Sequence, residues 1–364
     1  MKISVIIVSY NCKAFLDYCI QSVFKALKNI EGEIIVIDNC SSDGSVEYIK
    51  SKKYNLKIIE NDINLGFSKA NNKASKLAGG DYLFFLNPDT IIPEDLINNF
   101  VENKKRDTGI FGFRMIDGQG SFLRESKRNF PNIRIISKKL LGFRSDYYSS
   151  LNEFDSGVVD VLCGANMIIK KSIFDQINGF NEEYFMFGED IEISHKISKY
   201  GYKNYYCGSS SIIHFKGQST INDVSYLKNF YGAMNIYYKN VFSSNLFFLT
   251  IIKIISSLFI FFKKFSPPKT KINTDSKFNL LFSDKPNNKL KKLYENISTI
   301  EQLEESLNNC NIIFDPNYLT FKEIIKCIDN LKNKNKINFW FLSSDNTYMI
   351  KAGGMNQKGS TVFL

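Results

Sequence analysis

Residues 3–11 read ISVIIVSYN, an apolar run that ends in three polar residues. The run predicts a buried β-strand over 3–9, because it is short and rich in β-branched side chains. In the next segment, Phe15 to Leu27, apolar side chains recur every three or four residues, as on one face of a helix. A buried strand followed by an amphipathic helix is the building unit of a parallel sheet covered by helices.

The same alternation continues along the chain. Further strands are predicted at 33–38, 56–60, 81–86, 202–207 and 211–215, with regular structure also at 158–169. Helices are predicted from an N-cap at Ser41 or Ser42 to Ile49, at 67–77, from Lys171, and at 189–200 and 224–241. Residues 124–144 form a basic, irregular loop. The sequence therefore predicts an α/β protein whose mostly parallel central sheet is flanked by helices.

Residues 246–262, LFFLTIIKIISSLFIFF, are the most apolar run in the chain. Their few polar side chains fall on one side of a helix, opposite a broad apolar face, which is typical of a helix lying in a membrane interface. Four lysines follow between residues 263 and 271, and anionic lipid would attract them. The alternative is a buried helix of a second domain.

Three regions follow from these patterns. We expect a first domain at 1–242, a membrane-interface helix and basic linker at 243–272, and a small Rossmann-like α/β domain of unknown function at 273–364. In the last region strands are predicted at 278–282, 310–315 and 337–342, and helices at 299–307 and 319–331.

Composition excludes several protein classes. The chain has 364 residues, of which 44% are hydrophobic, and its 7 Pro and 21 Gly follow no period, so it is neither disordered nor collagen-like. Of the net charge of +10, residues 246–364 carry +7 and residues 1–245 only +3. A near-neutral first part argues against nucleic-acid binding.

The cysteines and the N-terminus indicate a cytoplasmic protein. The seven cysteines form no C-x-x-C pair and no zinc-finger spacing, which is typical of reduced thiols. The first apolar run stops at Asn11 without a small-residue cleavage site, so we expect a strand there and not a signal peptide.

Polar groups follow each of the first four predicted strands. They are Tyr10-Asn11, Asp38-Asn39, Asn64-Leu65-Gly66 and Asn87-Pro88-Asp89. Because ligands bind beyond the carboxyl ends of strands in such sheets, this edge is the candidate site.

Six separated motifs together resemble glycosyltransferase family 2, most closely its bacterial rhamnosyltransferase-like members. They are VSYN at 8–11, IDNCSSDGS at 37–45, NLGFSKANN at 64–72, FLNPDT at 85–90, GFNEEYFMFGEDIEIS at 179–194 and IIHFKGQST at 212–220. Their agreement over about the first 240 residues is far more specific than any one motif. The resemblance implies the GT-A fold of nucleotide-diphospho-sugar transferases and leaves the C-terminal unit outside.

The resemblance assigns the nucleotide base to Asp38, whose carboxylate can accept the imide N–H of uracil or thymine. The alternative is that Asp38 caps the helix starting near Ser42. Gly66 would let the backbone approach the ligand. The donor cleft would be lined by Ser9, Asn11, Asn64, Gly66, Asn71 and Asn87.

The resemblance also implies a divalent metal, Mn²⁺ or Mg²⁺, on the donor diphosphate. Asn87-Pro88-Asp89 stands where the family has D-x-D, so Asp89 would be a ligand, and His214 matches a histidine that binds metal in many members. Asn87 offers only a neutral carbonyl, which predicts a weaker site. A solvated Asp89 and a structural His214 are the alternatives.

The family's E-D pair matches Glu189-Asp190, which implies Asp190 as the base that deprotonates the acceptor and Glu189 as its support. Both acids are also common in a first helical turn. Gly164 resembles a loop near the acceptor, and Tyr184 and Phe187 would shape an acceptor pocket unless they pack in the core. Lys196 replaces the family's usual Arg, which puts a phosphate contact in doubt.

Together these residues predict an inverting, metal-dependent glycosyltransferase. The donor would be a UDP- or dTDP-sugar, dTDP-rhamnose first, and the acceptor a lipid-linked or surface glycan at the inner face of the cytoplasmic membrane. The alternatives are a sugar nucleotidyltransferase, although Tyr10-Asn11-Cys12-Lys13 lacks that class's Gly- and Arg/Lys-rich loop, and a non-catalytic scaffold that binds a nucleotide-sugar.

Overall fold

The structure is a computed structural model. It describes residues 1–132, 135, 146–217, 224–242, 278–294, 296–302, 307–332, 334, 336–351 and 359–364. The predicted membrane-interface helix and linker at 243–272 lie outside these residues, as does most of the basic loop after Asn132. The proposed division into domains therefore stays a prediction.

The first unit contains eleven described strands. They are β1 Ile3–Ser9, β2 Gly32–Asp38, β3 Lys57–Glu60, β4 Tyr82–Leu86, β5 Thr90–Ile91, β6 Thr108–Ile116, β7 Lys127–Arg128, β8 Gly157–Val159, β9 Val161–Leu162, β10 Asn166–Lys170 and β11 Lys203–His214. Its described helices are α1 Lys13–Ala26, α2 Ser45–Ser51, α3 Gly66–Ser75, α4 Leu96–Asn103, α5 Lys171–Gln176, α6 Glu189–Lys199 and α7 Val224–Phe242.

Most of these strands form one nine-stranded sheet in the order β3-β2-β1-β4-β10-β6-β11-β5, with β8 also on β11. The first four strands of this order run parallel, and β10 runs antiparallel between β4 and β6. In the β1–β2 ladder, Ser9 lies opposite Asp38, so the two strands end side by side. The predicted mixed, mostly parallel sheet is confirmed.

Three predicted elements differ in the structure. The strands expected at 202–207 and 211–215 are one strand, β11, whose register shifts between Cys207 and Ser211. The helix expected from Ser41 or Ser42 begins only at Ser45, because the Asp43 carboxylate accepts the Ser45 N–H at 3.0 Å. Part of the helix expected at 299–307 is a strand, β13.

The C-terminal unit is a second sheet. Its strands are β12 Phe278–Phe282, β13 Ile297–Ile300, β14 Cys310–Phe314, β15 Asn338–Leu342, β16 Tyr348–Lys351 and β17 Ser360–Phe363, in the order β13-β12-β14-β15-β16-β17. The first four in this order are parallel, and β16 and β17 are antiparallel. Its described helices are α8 Asn288–Leu293 and α9 Phe321–Leu331.

The two units share a hydrophobic core. Tyr18 of α1 meets Phe321 and Phe341 edge-on, with ring centroids 5.6 and 6.0 Å apart, and Phe215 meets Phe341 at 5.1 Å. All four rings are buried. Aromatic edge-to-face pairs add to the free energy gained by burying the rings, so the C-terminal unit is packed firmly against the first.

Buried polar groups cross the same interface. The guanidinium of Arg114, in β6, donates to both oxygens of Asp329 in α9 at 2.8 and 3.0 Å, and also to Glu153 and Ser211. Across α1, the Asp17 carboxylate accepts hydrogen bonds from the hydroxyls of Tyr54 and Tyr348 at 2.8 and 2.7 Å. Each buried charge is therefore paired or hydrogen-bonded.

Within the described part of the chain, no helix has the length and hydropathy needed to cross a bilayer.

Candidate active site

The ends of β1 and β2 form one side of the candidate site. Asp38 is 3% exposed, and its two carboxylate oxygens accept the Ser41 backbone N–H at 2.7 Å and the Ser41 hydroxyl at 2.6 Å. Asp38 thus closes a tight turn and does not cap α2. Each oxygen retains a second lone pair, so the carboxylate can still accept a hydrogen bond from a ligand.

Two neighbouring residues complete this edge. Asn11 has a positive φ of 50°, and its side-chain carbonyl accepts the Ser42 N–H at 2.7 Å. Ser9 is fully buried with its hydroxyl 3.6 Å from the Cys12 sulfur. Asn11 therefore ties the β1 loop to the β2 loop, and both loops lie at the strand ends where the sequence predicted them.

The NLGF segment forms a turn into α3. The Asn64 side chain accepts the Gly66 N–H at 2.9 Å, and Gly66 has a φ of +76°. A Cβ at Gly66 would lie 2.3 Å from the backbone oxygen of Phe185. Glycine is therefore required because another loop of the protein packs here, which corrects the expectation that it makes room for a ligand.

Asn71 does not show the expected role. It is 1% exposed, and its amide donates to the Phe67 carbonyl within α3. The next residue, Asn72, instead donates to the Phe180 carbonyl at 2.8 Å and accepts the Phe180 N–H at 3.0 Å. Sequence reasoning missed Asn72 because adjacent asparagines in one motif give no sign of which one faces the neighbouring loop.

The expected metal ligands lie together. Nε2 of His214 is 3.3 Å from Oδ1 of Asp89 and 3.4 Å from the side-chain amide of Asn87, and both Asp89 and His214 are buried. Two neighbouring ligands of an octahedral cation lie roughly 3 Å apart, so this spacing fits a shared ion. Nδ1 of His214 has no hydrogen-bond partner among the described residues.

The described residues supply only part of a metal coordination shell. In the part of the chain that the structure describes, no three His, Cys, Asp or Glu side chains cluster closely enough to hold an ion. Asp89 and His214 therefore suit a cation whose remaining ligands come from a diphosphate and water, as Mn²⁺ and Mg²⁺ often bind.

Glu189 and Asp190 begin α6 directly after a strained turn. Phe187 and Gly188 both have positive φ angles, 69° and 79°, and a Cβ at Gly188 would lie 2.9 Å from the Tyr184 ring. Both acids are buried, although they are charged residue types in the first turn of a helix. The turn directs the side chains of both acids into the protein, where they contact the loop that contains Gly164.

Asp190 is held by two donors. Its Oδ2 accepts a hydrogen bond from the Arg128 guanidinium at 2.5 Å and from the Gly164 backbone N–H at 3.2 Å. Burial lowers the pKa of Arg128, but the Asp190 carboxylate outweighs it and the net pKa is raised well above the ordinary value. The buried Arg128 guanidinium therefore keeps its charge at the contact with the Asp190 carboxylate.

Arg128 was not predicted as a site residue, because it falls in a segment that looked like a variable basic loop. Its other contacts are the Leu162 carbonyl at 3.2 Å and the Tyr147 hydroxyl at 3.3 Å. No described residue accepts a hydrogen bond from its Nε. No local spacing links residue 128 to residue 190, so only the tertiary structure could show this pair.

Glu189 differs sharply from its neighbour. Burial and the adjacent Asp190 charge raise its pKa to about 8, and the described residues offer no hydrogen bond to its Oε2. At neutral pH Glu189 therefore carries a proton. A buried acid whose pKa is strongly raised beside a second carboxylate is typical of a functional site.

The aromatic residues expected near the acceptor have other contacts. Tyr184 is fully buried in a cluster with Tyr237 and Tyr238 of α7, so it presents no face to a ligand, and that expectation is wrong. Phe187 is partly exposed and its ring centroid lies 6.0 Å from that of Phe230. Of the two, only Phe187 retains accessible surface.

Backbone contacts join the two halves of the site. The Asn87 N–H donates to the Ala165 carbonyl at 3.0 Å, next to Gly164, whose N–H contacts Asp190. On the other side, the Phe67 N–H donates to the Phe185 carbonyl at 2.7 Å. The metal residues, the acid pair and the β1–β2 edge thus belong to one continuous set of contacts at the sheet edge.

Comparisons with known proteins identify similar sequences and one similar solved structure. Residues 4–177 match the family model described as "Glycosyl transferase family 2", and residues 156–218 match the one described as "N-terminal domain of galactosyltransferase". The N-acetylglucosaminyl-diphospho-decaprenol L-rhamnosyltransferase of Mycobacterium tuberculosis is 26% identical over 211 residues, covering 52% of this chain and 68% of that protein.

A second relative and a solved structure are also similar. Rhamnosyltransferase WbbL of Escherichia coli is 27% identical over 208 residues, covering 52% of this chain and 77% of WbbL. The mannosyltransferase PcManGT of Pyrobaculum calidifontis, solved with GDP-Man and Mn²⁺, superposes with a TM-score of 0.49 and 14% identity, over 71% of this chain and 69% of that chain.

Proposed function

Because residues 4–177 match the model of glycosyltransferase family 2 and the first unit has a mostly parallel central sheet, we propose that this chain transfers a sugar from a nucleotide-sugar to a hydroxyl group of a glycan. One observation carries the proposal: hydrogen bonds between neighbouring segments connect the nucleotide-side, metal-side and acid–base residues at the edge of the sheet. Packing alone gives no reason to bury two acids and a histidine–carboxylate pair on segments that are connected in this way.

The donor lies along the β1–β2 edge in this proposal. Asp38 accepts the base imide N–H, and Asn11 and Asn64 hold the surrounding loops in place. Asp89 and His214, with the carbonyl of Asn87, would hold a divalent cation at the diphosphate. The chemistry that such a cation would supply is neutralisation of the charge on the leaving nucleoside diphosphate.

Asp190 then takes the proton of the acceptor hydroxyl. Arg128 and the Gly164 N–H both donate to Oδ2 of Asp190 and fix the direction of its carboxylate. Glu189 holds its own proton near neutral pH, so a second negative charge does not oppose the incoming hydroxyl. Attack from the face opposite the leaving group inverts the anomeric configuration.

The names of the relatives indicate which donors and acceptors to consider first. Two of them are named as rhamnosyltransferases, and one name specifies a diphospho-decaprenol-linked acceptor. We therefore place dTDP-rhamnose first among donors for this chain, ahead of UDP-sugars, and a lipid-linked saccharide first among acceptors.

Such an acceptor would bring the enzyme to the inner face of the cytoplasmic membrane. The amphipathic sequence at 246–262 and the lysines that follow it carry this part of the proposal. Flotation with vesicles that contain anionic lipid tests it, and Lys263→Glu combined with Lys264→Glu should reduce binding.

Donor hydrolysis tests the function. Purified full-length protein is incubated with dTDP-rhamnose, UDP-glucose, UDP-N-acetylglucosamine and GDP-mannose, with Mn²⁺, with Mg²⁺ and with EDTA. We expect slow release of dTDP or UDP that requires metal and is lost in Asp89→Ala. Pyrophosphate release from a nucleoside triphosphate would instead indicate a nucleotidyltransferase, and nucleotide binding without either product would indicate a scaffold.

A further inference from the structure

The C-terminal sheet has a cleft of its own. Strands β13 and β14 lie on opposite sides of β12, so the chain reverses its direction of travel across the sheet between β12 and β14. In open α/β sheets, ligands bind outside the carboxyl ends of the strands at this point. Here the structure has an open cleft of about 500 Å³, formed by residues 283–289, 315–317 and 346.

The cleft lining is rich in amides. Asn287, Asn288, Asn317 and Asn346 contribute four side-chain amides, and Asp315 contributes a carboxylate that accepts a hydrogen bond from the buried Ser283 hydroxyl at 2.9 Å. The Asn287 amide donates to Asn346 and the Asn317 amide to the Ser344 carbonyl, and each of these NH₂ groups has a second hydrogen for a ligand. Amides both donate and accept hydrogen bonds, and carboxylates accept them. This combination matches the hydroxyl groups of a sugar, each of which both donates and accepts.

The net charge of the cleft lining indicates whether a sugar or a phosphate is the better ligand. Two acids, Asp284 and Asp315, balance two lysines, Lys285 and Lys289, so the lining has no net positive charge. The loop after β12 contains no glycine, and α8 is too short to offer a helix N-terminus for an anion. The lining therefore favours a neutral, polyhydroxylated ligand.

The walls of the cleft are fixed by the first unit. The Lys25 ammonium of α1 donates to the Pro316 carbonyl at 2.5 Å, and Gln21 of α1 accepts the Ser344 N–H at 3.2 Å. The Asn317 amide joins the walls by donating to the Ser344 carbonyl at 2.8 Å. A cleft held in this way binds a ligand with less loss of conformational entropy.

We propose that this cleft is a saccharide-binding site for the acceptor or product glycan. The C-terminal unit would then hold the glycan while the strand ends of the first unit add a sugar to it. This inference rests on the proposed function, since it takes its ligand from that reaction, but its own chemistry lies in the second sheet.

The test measures sugar binding directly, on the full-length protein with the donor site saturated by UDP and Mn²⁺. L-Rhamnose, N-acetyl-D-glucosamine and D-glucose are used as probes in saturation-transfer NMR titrations. We expect at least one probe to bind, with affinity reduced about fivefold in Lys289→Ala and in Asn317→Ala, since each loses a hydrogen-bonding group at the cleft. The matched surface control Lys291→Ala should bind as the wild type does.

Each remaining outcome overturns the proposal. No saturation transfer to any of the probes, or equal binding by wild type and both cleft variants, removes the saccharide site. Displacement of the probe by inorganic phosphate would assign the cleft to an anion. Donor hydrolysis measured on the same samples keeps the two proposals apart, because failure of hydrolysis with sugar binding retained counts only against the transferase.

Discussion

Two buried arginines in this chain have different surroundings. Arg114, at the interface between the two units, pairs with Glu153 and with both oxygens of Asp329, and its side chain is 0% exposed. Arg128, beside the acid pair, leaves its Nε without a described partner, next to a Glu189 that also has an unpartnered oxygen. A fully satisfied buried network stabilises a fold, whereas unsatisfied polar groups indicate a place where substrates complete the contacts.

The largest expected effect comes from removing residues 243–364. The loss exposes Tyr18 and Phe215 and leaves Arg114 buried without Asp329. We expect residues 1–242 alone to be insoluble or to lack a cooperative thermal transition, measured by calorimetry beside the intact chain. A shortened protein with an unchanged melting temperature would show that the interface contributes little stability.

The same contacts affect any test of membrane binding. A deletion that unfolds the first unit would change sedimentation with lipid because the protein is unfolded, and not because a membrane-binding segment is missing. The charge-reversal variants at Lys263 and Lys264 avoid this, since they keep the C-terminal unit and its contacts with the first unit in the protein.

At the acid pair, Asp190→Asn should lower the rate of sugar transfer by about 10²- to 10⁴-fold, the usual contribution of a general base. Asn keeps an oxygen for the Gly164 N–H, so the affinity for UDP should stay close to wild type, whereas the melting temperature should fall because the buried Arg128 loses its counter-ion. Initial rates and UDP titrations check this, with exposed Asp175→Asn as the control. Near-normal turnover in Asp190→Asn would remove Asp190 from the role of base.

At the interface, Arg114→Met should lower the free energy of unfolding by about 3–5 kcal/mol, because Asp329 and Glu153 lose the cation between them. Urea unfolding measures this loss against Arg106→Met, which changes an exposed arginine. Below the transition, donor hydrolysis per folded molecule should stay unchanged. A reduced rate in protein that is still folded would contradict the assignment of Arg114 to structure alone.

The smallest effect concerns Glu189→Gln and depends on pH. Below the ordinary pKa of 4.5, Glu189 is protonated in the folded and the unfolded chain alike, whereas between 4.5 and about 8 only the folded chain keeps the proton. The free energy of unfolding of the wild type therefore falls as pH rises through this window. Glutamine does not ionise, so Glu189→Gln removes this fall.

We expect Glu189→Gln to raise the melting temperature by a few degrees at pH 8 and by less at pH 5. Exposed Glu102→Gln serves as the control and should show no such dependence. An equal shift at both pH values would mean that Glu189 is not protonated in the folded enzyme.

Much of the first sheet could be predicted from the sequence, because each parallel strand is a short apolar run ending in polar residues. Strand β1 has the predicted bounds, and β2 and β4 differ from prediction by one residue at the start. Asp38 and Asp89 at strand ends, and Asp190 at the start of α6, were predicted as site residues through motifs that are local in sequence, and their roles stay predictions. In the C-terminal unit the predicted strand at 278–282 is exact, whereas β16 and β17 were not foreseen.

The rest depends on contacts between distant segments. Arg128 meets Asp190 across 62 positions, and Arg114 meets Asp329 across 215, and no spacing in the sequence encodes either pair. Tyr184 was misplaced because an aromatic side chain in a loop serves equally well in a core or in a sugar pocket. Which of the two it serves is decided by α7, whose packing the sequence does not reveal.

The contact between Gly66 and the Phe185 carbonyl also matters for enzyme engineering. The loop at 179–188 sits directly on the backbone of residues 66 and 67, and no side chain fits between them. A loop transplanted from a relative to change acceptor preference would clash unless the segment at 64–67 came with it. The two segments are best exchanged as a single cassette.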